Sequence, residues 1–406
     1  MNDKLYWVWL SQLFACGSQR PSQLLALCES PEDLYHLSEE ELASFGVLTS
    51  AEIKAMKAVS LERARLILEK CEKCGIRILC WADEDFPKRL RLIYGPPVVL
   101  YVKGSLAGLD SEVVITVVGT RRATDYSDYA TQFLCRQLAA AGAVIVSGCA
   151  VGIDAAAHLG ALAVKGRTVA VLGCGLDVDY PRENAGLKQQ ILERGGALVS
   201  ELPPGTQPIP RMFPVRNRLM AGLALGVLVT HAPERSGSLI TAEHALEQGK
   251  EVFCLPPYSI FDTSFAGVIR YLRDGAIPVF CAEDVLGMYT GAYADRLDVT
   301  QLSGDYAVKK DPPEKPKIHA RAGLSATAPP AETVSAEKEN LVGIVSGFDE
   351  KQLTVYNNLE LDPKHLDELQ AACGLPIGEL LSILTELEIL GLAASLGGRR
   401  YALAAR

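Results

Sequence analysis

Between residues 113 and 280 the chain repeats one pattern that few folds can accommodate: an unbroken apolar run closed by glycine or turn residues, then an amphipathic stretch of helical period. The runs are Val113–Val118, Ala143–Val146, Thr168–Leu172, Ala197–Val199, Val227–Thr230, Glu251–Leu255 and Ile277–Phe280. Helical patterns separate them near 126–141, 154–165, 184–194, 216–225, 239–249 and 265–273. Runs without polar alternation have no face to give to water, so the strands they form must be covered on both sides. Strands alternating with helices meet that need as a parallel sheet with helices on each face. Right-handed crossovers then bring the carboxyl ends of such strands to one edge. The predicted class is α/β, an extended Rossmann-like parallel sheet whose functional loops share that edge. Val98–Val102, after the Pro96-Pro97 break, supplies one more strand.

The flanks read differently. Residues 1–85 suggest a small helical domain of the SAM or helix-hairpin-helix kind. Its helices fall near 22–28, 38–44, 50–57 and 60–74, punctuated by Pro21, Pro31, Gly46 and Gly75. Ser38-Glu-Glu-Glu41 is a capping box. The Rossmann-like domain is predicted over 86–290, including a connector at 86–110. Residues 291–340 hold Pro312-Pro313, Pro316 and Pro329-Pro330 among Ala, Glu and Lys, which predicts a disordered linker. Over 341–406, helices near 350–358, 363–373 and 376–391 precede Gly397-Gly398 between short β-like segments, the outline of a winged helix. Its candidate recognition helix, Pro376–Leu390, carries Glu379, Glu386 and Glu388 and no Lys or Arg. Such a helix suits a protein contact better than a DNA groove.

Composition narrows the setting. No apolar run approaches the roughly 18 residues of a membrane span. The stretch Tyr6-Trp-Val-Trp-Leu10 is interrupted by Ser11 and Gln12 and has no basic segment before it, so it reads as a buried helix start, not a signal peptide. Eleven cysteines scattered singly through apolar segments suit reduced thiols in a cytoplasmic protein. Cys71 and Cys74 form a C-x-x-C with no second pair at zinc-site spacing. The net charge of −9 argues against a general coating for polyanions. Yet Leu202–Pro233 contains no acidic residue while holding Arg211, Arg216 and Arg218, the mark of a local cationic site.

The strand-end loops carry the functional signal. They are Gly119-Thr-Arg-Arg122, Ser147-Gly-Cys-Ala-Val-Gly-Ile-Asp154, Gly173-Cys-Gly175 and Glu234-Arg-Ser-Gly-Ser238. Glycine lets a ligand approach main-chain N–H groups, and the helix starts that follow offer unpaired donors to an anion. Arg121 and the run Phe213-Pro-Val-Arg-Asn-Arg218 add cations, and Phe213 could stack on a base. Neither G-x-x-x-x-G-K-[ST] nor G-x-G-x-x-G is present. Several converging loops favour an extended polynucleotide, with a mononucleotide as the alternative ligand. Asp154 and His158 are four apart on a helix but have no obvious third metal ligand. Ser147 lacks the glycine two residues earlier that a nucleophile elbow requires. No catalytic residue, metal or cofactor is predicted.

These residues resemble the DprA/Smf family of DNA-processing proteins. The resemblance runs through Val118-Gly-Thr-Arg-Arg122, Ser147-Gly-x-Ala-x-Gly-Ile-Asp154 with Ala157-His158, and Ala170-Val-Leu-Gly-Cys-Gly-Leu-Asp177. It continues in Tyr180-Pro181, Ser200-Glu201, Phe213-Pro-x-Arg-Asn-Arg218, Ser236-Gly-Ser-Leu-Ile-Thr-Ala242 and Asp274-Gly-Ala276, over about 112–285. It implies a non-catalytic, often dimeric protein that binds and protects single-stranded DNA during transformation and helps load the RecA recombinase onto it. Carried over position by position, the DNA-contacting residues would be Arg121, Gly148, Gly152, Arg216, Asn217, Arg218, Ser236, Gly237 and Ser238. The chain departs from the family at Thr230-His231, at Leu255-Pro-Pro257 and at Gly267-Val-Ile269. Two other readings remain. One is a nucleoside-monophosphate hydrolase using Glu243, one residue early in Ser236-Gly-Ser-Leu-Ile-Thr-Ala-Glu-His244. The other is a protein scaffold with a vestigial site, favoured if the arginines of the acid-free segment are buried in ion pairs.

Overall fold

The computed structural model describes residues 3–298, 300, 348–360, 364–389, 392–396 and 400–403. In chain order the elements up to the sheet are α1 (Asp3–Leu13), α2 (Arg20–Leu25), α3 (Pro31–His36), α4 (Glu39–Ser44), α5 (Ser50–Ala58) and α6 (Glu62–Lys73). The strands are β1 (Arg77–Cys80), β2 (Val99–Gly104), β3 (Val114–Gly119), β4 (Val144–Ser147), β5 (Thr168–Val171), β6 (Ala197–Ser200), β7 (Gly226–His231), β8 (Glu251–Cys254) and β9 (Ile277–Pro278). Interleaved with them are α7 (Asp125–Ala140), α8 (Ile153–Ala163), α9 (Ala185–Glu193), α10 (Met212–Leu223), α11 (Leu239–Glu247), α12 (Ala266–Arg273) and α13 (Ala282–Leu286).

The strands form a nine-stranded sheet in the order β1-β2-β6-β5-β4-β3-β7-β8-β9. From β6 to β9 every pairing is parallel, as the unalternated apolar runs require. The pairs β1–β2 and β2–β6 are antiparallel. Helices cover both faces: Leu219, Leu239 and Val268 pack over Val146 and Val229 on one, and Leu134, Leu138 and Ala161 over Ile115 and Leu228 on the other. The order changes direction at β3, whose neighbours are β4 and β7, and crevices open at such a point.

The amino-terminal helices share a core with the sheet. Trp9, Leu34 and Ile67 lie in one apolar cluster with Tyr101, Ala170 and Leu198. The strand β1 has no counterpart among the predicted elements; it matches β8 in length and burial but follows the amino-terminal helices, outside the strand–helix alternation that carried the prediction. Pro31, read as a break, instead opens α3 at its first position, where its missing N–H costs nothing and Ser30 caps Asp33 N at 3.1 Å. The capping box at Ser38 forms as expected, with Glu41 N donating to Ser38 Oγ at 3.2 Å and Ser38 N to Glu41 Oε2 at 2.7 Å.

At the far end of this unit Leu297 is buried and Arg89 Nη2 donates to Tyr293 Oη at 3.2 Å, so the first residues of the expected linker pack on the sheet unit. Its remainder from 301 on lies outside the described residues. The carboxyl-terminal unit contains α14 (Glu350–Asn358), β10 (Lys364–His365), α15 (Leu366–Cys373), α16 (Ile377–Ile389), β11 (Ala393–Leu396) and β12 (Arg400–Leu403). Its sheet has the order β10-β12-β11, and Val355, Leu369 and Leu384 form its core. Two acids of α16 are engaged by α14: Glu379 pairs with Lys351, and Glu386 accepts from Gln352 Nε2 at 2.8 Å.

Candidate nucleic-acid interface

The carboxyl ends of β5, β4, β3 and β7 stand in a row, and the loops leaving β4, β3 and β7 enclose an open groove of about 400 Å3. Gly119–Arg122 after β3, Ala150 and Asp154 after β4, and Pro233 with Arg235–Ser238 after β7 line it. Its floor is the start of α10: Phe213, Pro214, Arg216 and Asn217. A smaller recess of about 50 Å3, walled by Gly148, Gly173, Cys174, Tyr180 and Pro181, shares Arg121, Phe213 and Arg216 with the groove and extends it over β5.

Two glycines make this crowding possible. Gly152 adopts φ +80°, ψ −130°, a region that side chains rarely enter, and a Cβ there would lie 2.6 Å from Thr120 O. A Cβ on Gly148 would sit 2.6 Å from Arg216 Nη2 and 2.7 Å from Asp154 Oδ2. Arg216 and Asp154 thus meet beneath the β4 loop, both buried. Arg216 Nη1 donates to Gly148 O at 3.0 Å and also to Val171 O, while Asp154 Oδ2 accepts from Ala150 N at 3.2 Å. Burial pushes the Asp154 carboxyl above its usual range and the Arg216 guanidinium below its own, and each charge opposes the other's shift.

The remaining predicted residues divide in two. Asn217 Nδ2 donates to Gly237 O at 3.0 Å and so ties the floor to the Ser236–Ser238 loop, where Ser236 Oγ and Ser238 Oγ are 2.7 Å apart. The Phe213 ring has the Arg121 guanidinium 5.5 Å from its centroid, the Arg216 guanidinium at 5.9 Å and the Tyr180 ring at 5.7 Å. Arg218 is apart from these. It leaves the other side of α10 and donates through Nη2 to Glu201 Oε1 at 2.6 Å, Arg218 buried and Glu201 partly so, with the Gly17 backbone beside them. One arginine of the acid-free segment is therefore held in a buried ion pair and a second is buried under a loop. The exposed cations of the groove are Arg121, Arg122 and Arg235. Neither Arg122 nor Arg235 is among the predicted contacts, although each sits in a quoted strand-end loop beside a predicted residue.

Other candidates are occupied elsewhere. His158 Nδ1 lies 2.7 Å from Thr168 Oγ1, and burial pushes this imidazole down to about 3. Among the described residues no three His, Cys, Asp or Glu side chains gather as a metal site would need. Glu243 is exposed on α11 and does not line the groove; among the described lining residues Asp154 is the one carboxylate. The departure at His231 has a structural reason. Its ring spans Ser127 Oγ and Ser264 Oγ, each at 2.9 Å, stacks on Phe265 at 4.0 Å, and its carbonyl accepts from Thr120 N at 2.8 Å. It thus braces the β3 loop against the end of β7. No helix among the described residues is long and apolar enough to cross a membrane.

Comparison with known proteins agrees with this architecture. The family profile described as DNA recombination-mediator protein A matches residues 77–290, and the DprA winged helix domain matches 325–399. The chain is 34% identical to protein Smf of Synechocystis over 98% of both chains. It is 41% identical to the DNA processing protein DprA of Bacillus subtilis over 54% of this chain and 73% of that one. The solved structure of DNA processing protein A from Streptococcus pneumoniae superposes with a TM-score of 0.60 at 34% identity, covering 71% of this chain and 97% of that one.

Proposed function

The chain belongs to the DNA recombination-mediator protein A family, and from that premise we propose that it holds single-stranded DNA in the groove along the carboxyl edge of its sheet. The observation that carries the proposal is the groove's make-up: Arg121, Arg122 and Arg235 exposed around a floor that bears a partly exposed Phe213 ring, with the one lining carboxylate already engaged. Exposed cations and main-chain donors hold phosphates, and a flat ring stacks a base of any identity. A duplex keeps its bases inside the stack and cannot present one to Phe213, which gives the preference for single strands.

Roles follow from placement. Arg121, Arg122 and Arg235 neutralise phosphates, while the backbones of Ser236, Gly237 and Ser238 approach the strand; Gly148 walls the recess beside it, and Gly152 seats the β4 loop against Thr120. Arg216 and Asn217 act from beneath, fixing the loops that the strand touches. Arg218 is held by Glu201 beside the loop after α1 and takes no phosphate. We further propose that the chain hands bound DNA to the RecA recombinase and works as a homodimer in the cytoplasm, as a binding protein and not an enzyme.

Fluorescence anisotropy with an oligo-dT strand and its duplex across a salt series tests the reading. We expect single-strand preference, a log–log salt slope of several units, and a shallower slope with lost affinity in Arg121→Ala. Absence of single-strand binding by the wild type at low salt would refute it. Stimulation of RecA filament assembly and light scattering of the free protein test the partner and the dimer.

A further inference from the structure

The row of strand ends does not stop where the groove does. The next strand after β7 is β8, and the loop that leaves it presents Tyr258, Ile260 and Phe261 at 61, 76 and 87% exposure. Tyr126, in the first turn of α7 and four residues past Arg122, closes on this loop: its hydroxyl donates to Pro256 O at 2.8 Å and its ring lies 5.6 Å from that of Tyr258. Along α7 the exposed rings continue with Tyr129 and Phe133, stacked at 6.3 Å. Apolar surface concentrated in this way marks a contact site.

Resting on the single-strand reading of the groove, we propose that this cluster is a base-stacking platform, on which the strand leaving the groove past β7 lays further bases. Two observations select nucleic acid as the occupant, and a third sets how a strand must lie on it. The cluster adjoins the groove in the same row of strand ends, so a strand held at Arg121 and Arg122 meets it without turning. It is mainly aromatic, the surface that stacks any base. No Lys or Arg lies over 123–135 or 255–269, and Asp125, Asp128 and Asp262 lie in the same segments, so a strand there keeps its phosphates on the arginines of the groove and turns only its bases to the rings.

The two parts of the track therefore respond differently to salt. The arginines release counterions when they bind and the rings do not. We would measure anisotropy of a strand of about 6 nucleotides, short enough for the groove alone, and one of about 16, across a salt series. The Tyr126→Ala/Phe261→Ala double variant should lose about tenfold or more in affinity for the long strand, leave the short one unchanged and keep the wild-type salt slope. Phe261→Trp should retain long-strand affinity, and abasic sites beyond the groove should lower it in the wild type only. The proposal is overturned if the double variant binds both lengths as the wild type does while Arg121→Ala still fails. It is equally overturned if the only change is in oligomeric mass, which would make the cluster a self-association surface. Failure of the wild type to bind either strand would instead sink the groove reading itself.

Discussion

Replacing Arg216 with methionine separates a cation that touches DNA from one that builds the site. The side chain is buried, and its guanidinium supplies donors to Gly148 O and Val171 O beside the buried carboxyl of Asp154. Methionine keeps much of the volume and removes every donor. The carbonyls lose a partner, at about 1–3 kcal/mol for an unsatisfied buried group. Asp154 also loses the nearby positive charge that opposes its desolvation. With the carbonyls left unpaired, about 3 kcal/mol is the net expectation, a fall in Tm of roughly 5 °C for a unit of this size. The pH dependence gives a second signature. Burial already raises the Asp154 pKa above its ordinary 3.8, so the unfolded chain releases that proton first and stability falls as pH rises through the window above 3.8. Without Arg216 the folded pKa climbs further, the window widens upward, and Asp154→Asn in the same chain should recover part of the loss. Thermal melts from about pH 4 to 8 on the four members of this double-mutant cycle measure all of this. A methionine variant as stable as wild type, with weaker DNA binding and a shallower salt slope, would show that Arg216 is a phosphate ligand and refute the reasoning.

Three further outcomes are expected. Arg218→Ala leaves partly buried Glu201 without its cation, so Tm falls and protease sensitivity near residues 14–18 rises, while the salt slope of DNA binding stays at the wild-type value. His158 titrates near 3 when folded and near 6.5 when unfolded, so its share of stability is complete above about pH 6.5 and is lost as pH falls. Denaturant melts should show about 2 kcal/mol lost between about pH 7 and 5 from this group, a slope that His158→Gln removes. Gly152→Ala forces a side chain into φ +80° and against Thr120 O, costing about 1–3 kcal/mol and weakening single-strand binding with the far-ultraviolet spectrum unchanged.

The legible part of the fold was the part with a period. Every apolar run predicted as a strand became one, even β8 and β9 with their exposed ends, because each run alternates with a helical stretch in the pattern of a parallel sheet. β1, equal to β8 in length and burial, stands outside that alternation. The linkage of the amino-terminal helices to the sheet was hidden for a different reason. A helix that packs on a sheet and a helix in a separate bundle show the same apolar stripe, and only coordinates say that Trp9 and Leu198 share a cluster.

The site divides along the same line, and α10 shows why. Its run Phe213-Pro-Val-Arg-Asn-Arg218 presents two arginines with no acid nearby in sequence, which reads as a cationic patch. On a helix, however, residues two apart do not face each other. If Arg216 looks into the groove, Arg218 must look out of it, and the acid that neutralises it, Glu201, lies 17 positions upstream at the end of β6. The mirror error concerns Arg122 and Arg235. They sit in loops, where no period constrains direction, and both proved to be the open cations that the helix could not provide. Residue type and spacing thus located the groove, because glycines and strand ends mark where backbone can approach a ligand. Assigning each cation to ligand or scaffold needed burial and partners, since a guanidinium in water and one under a loop have the same letter in the sequence. On the proposed reading the consequence for the chemistry is specific: affinity for phosphate resides in the loops, and α10 supplies the rigidity that keeps those loops at one spacing.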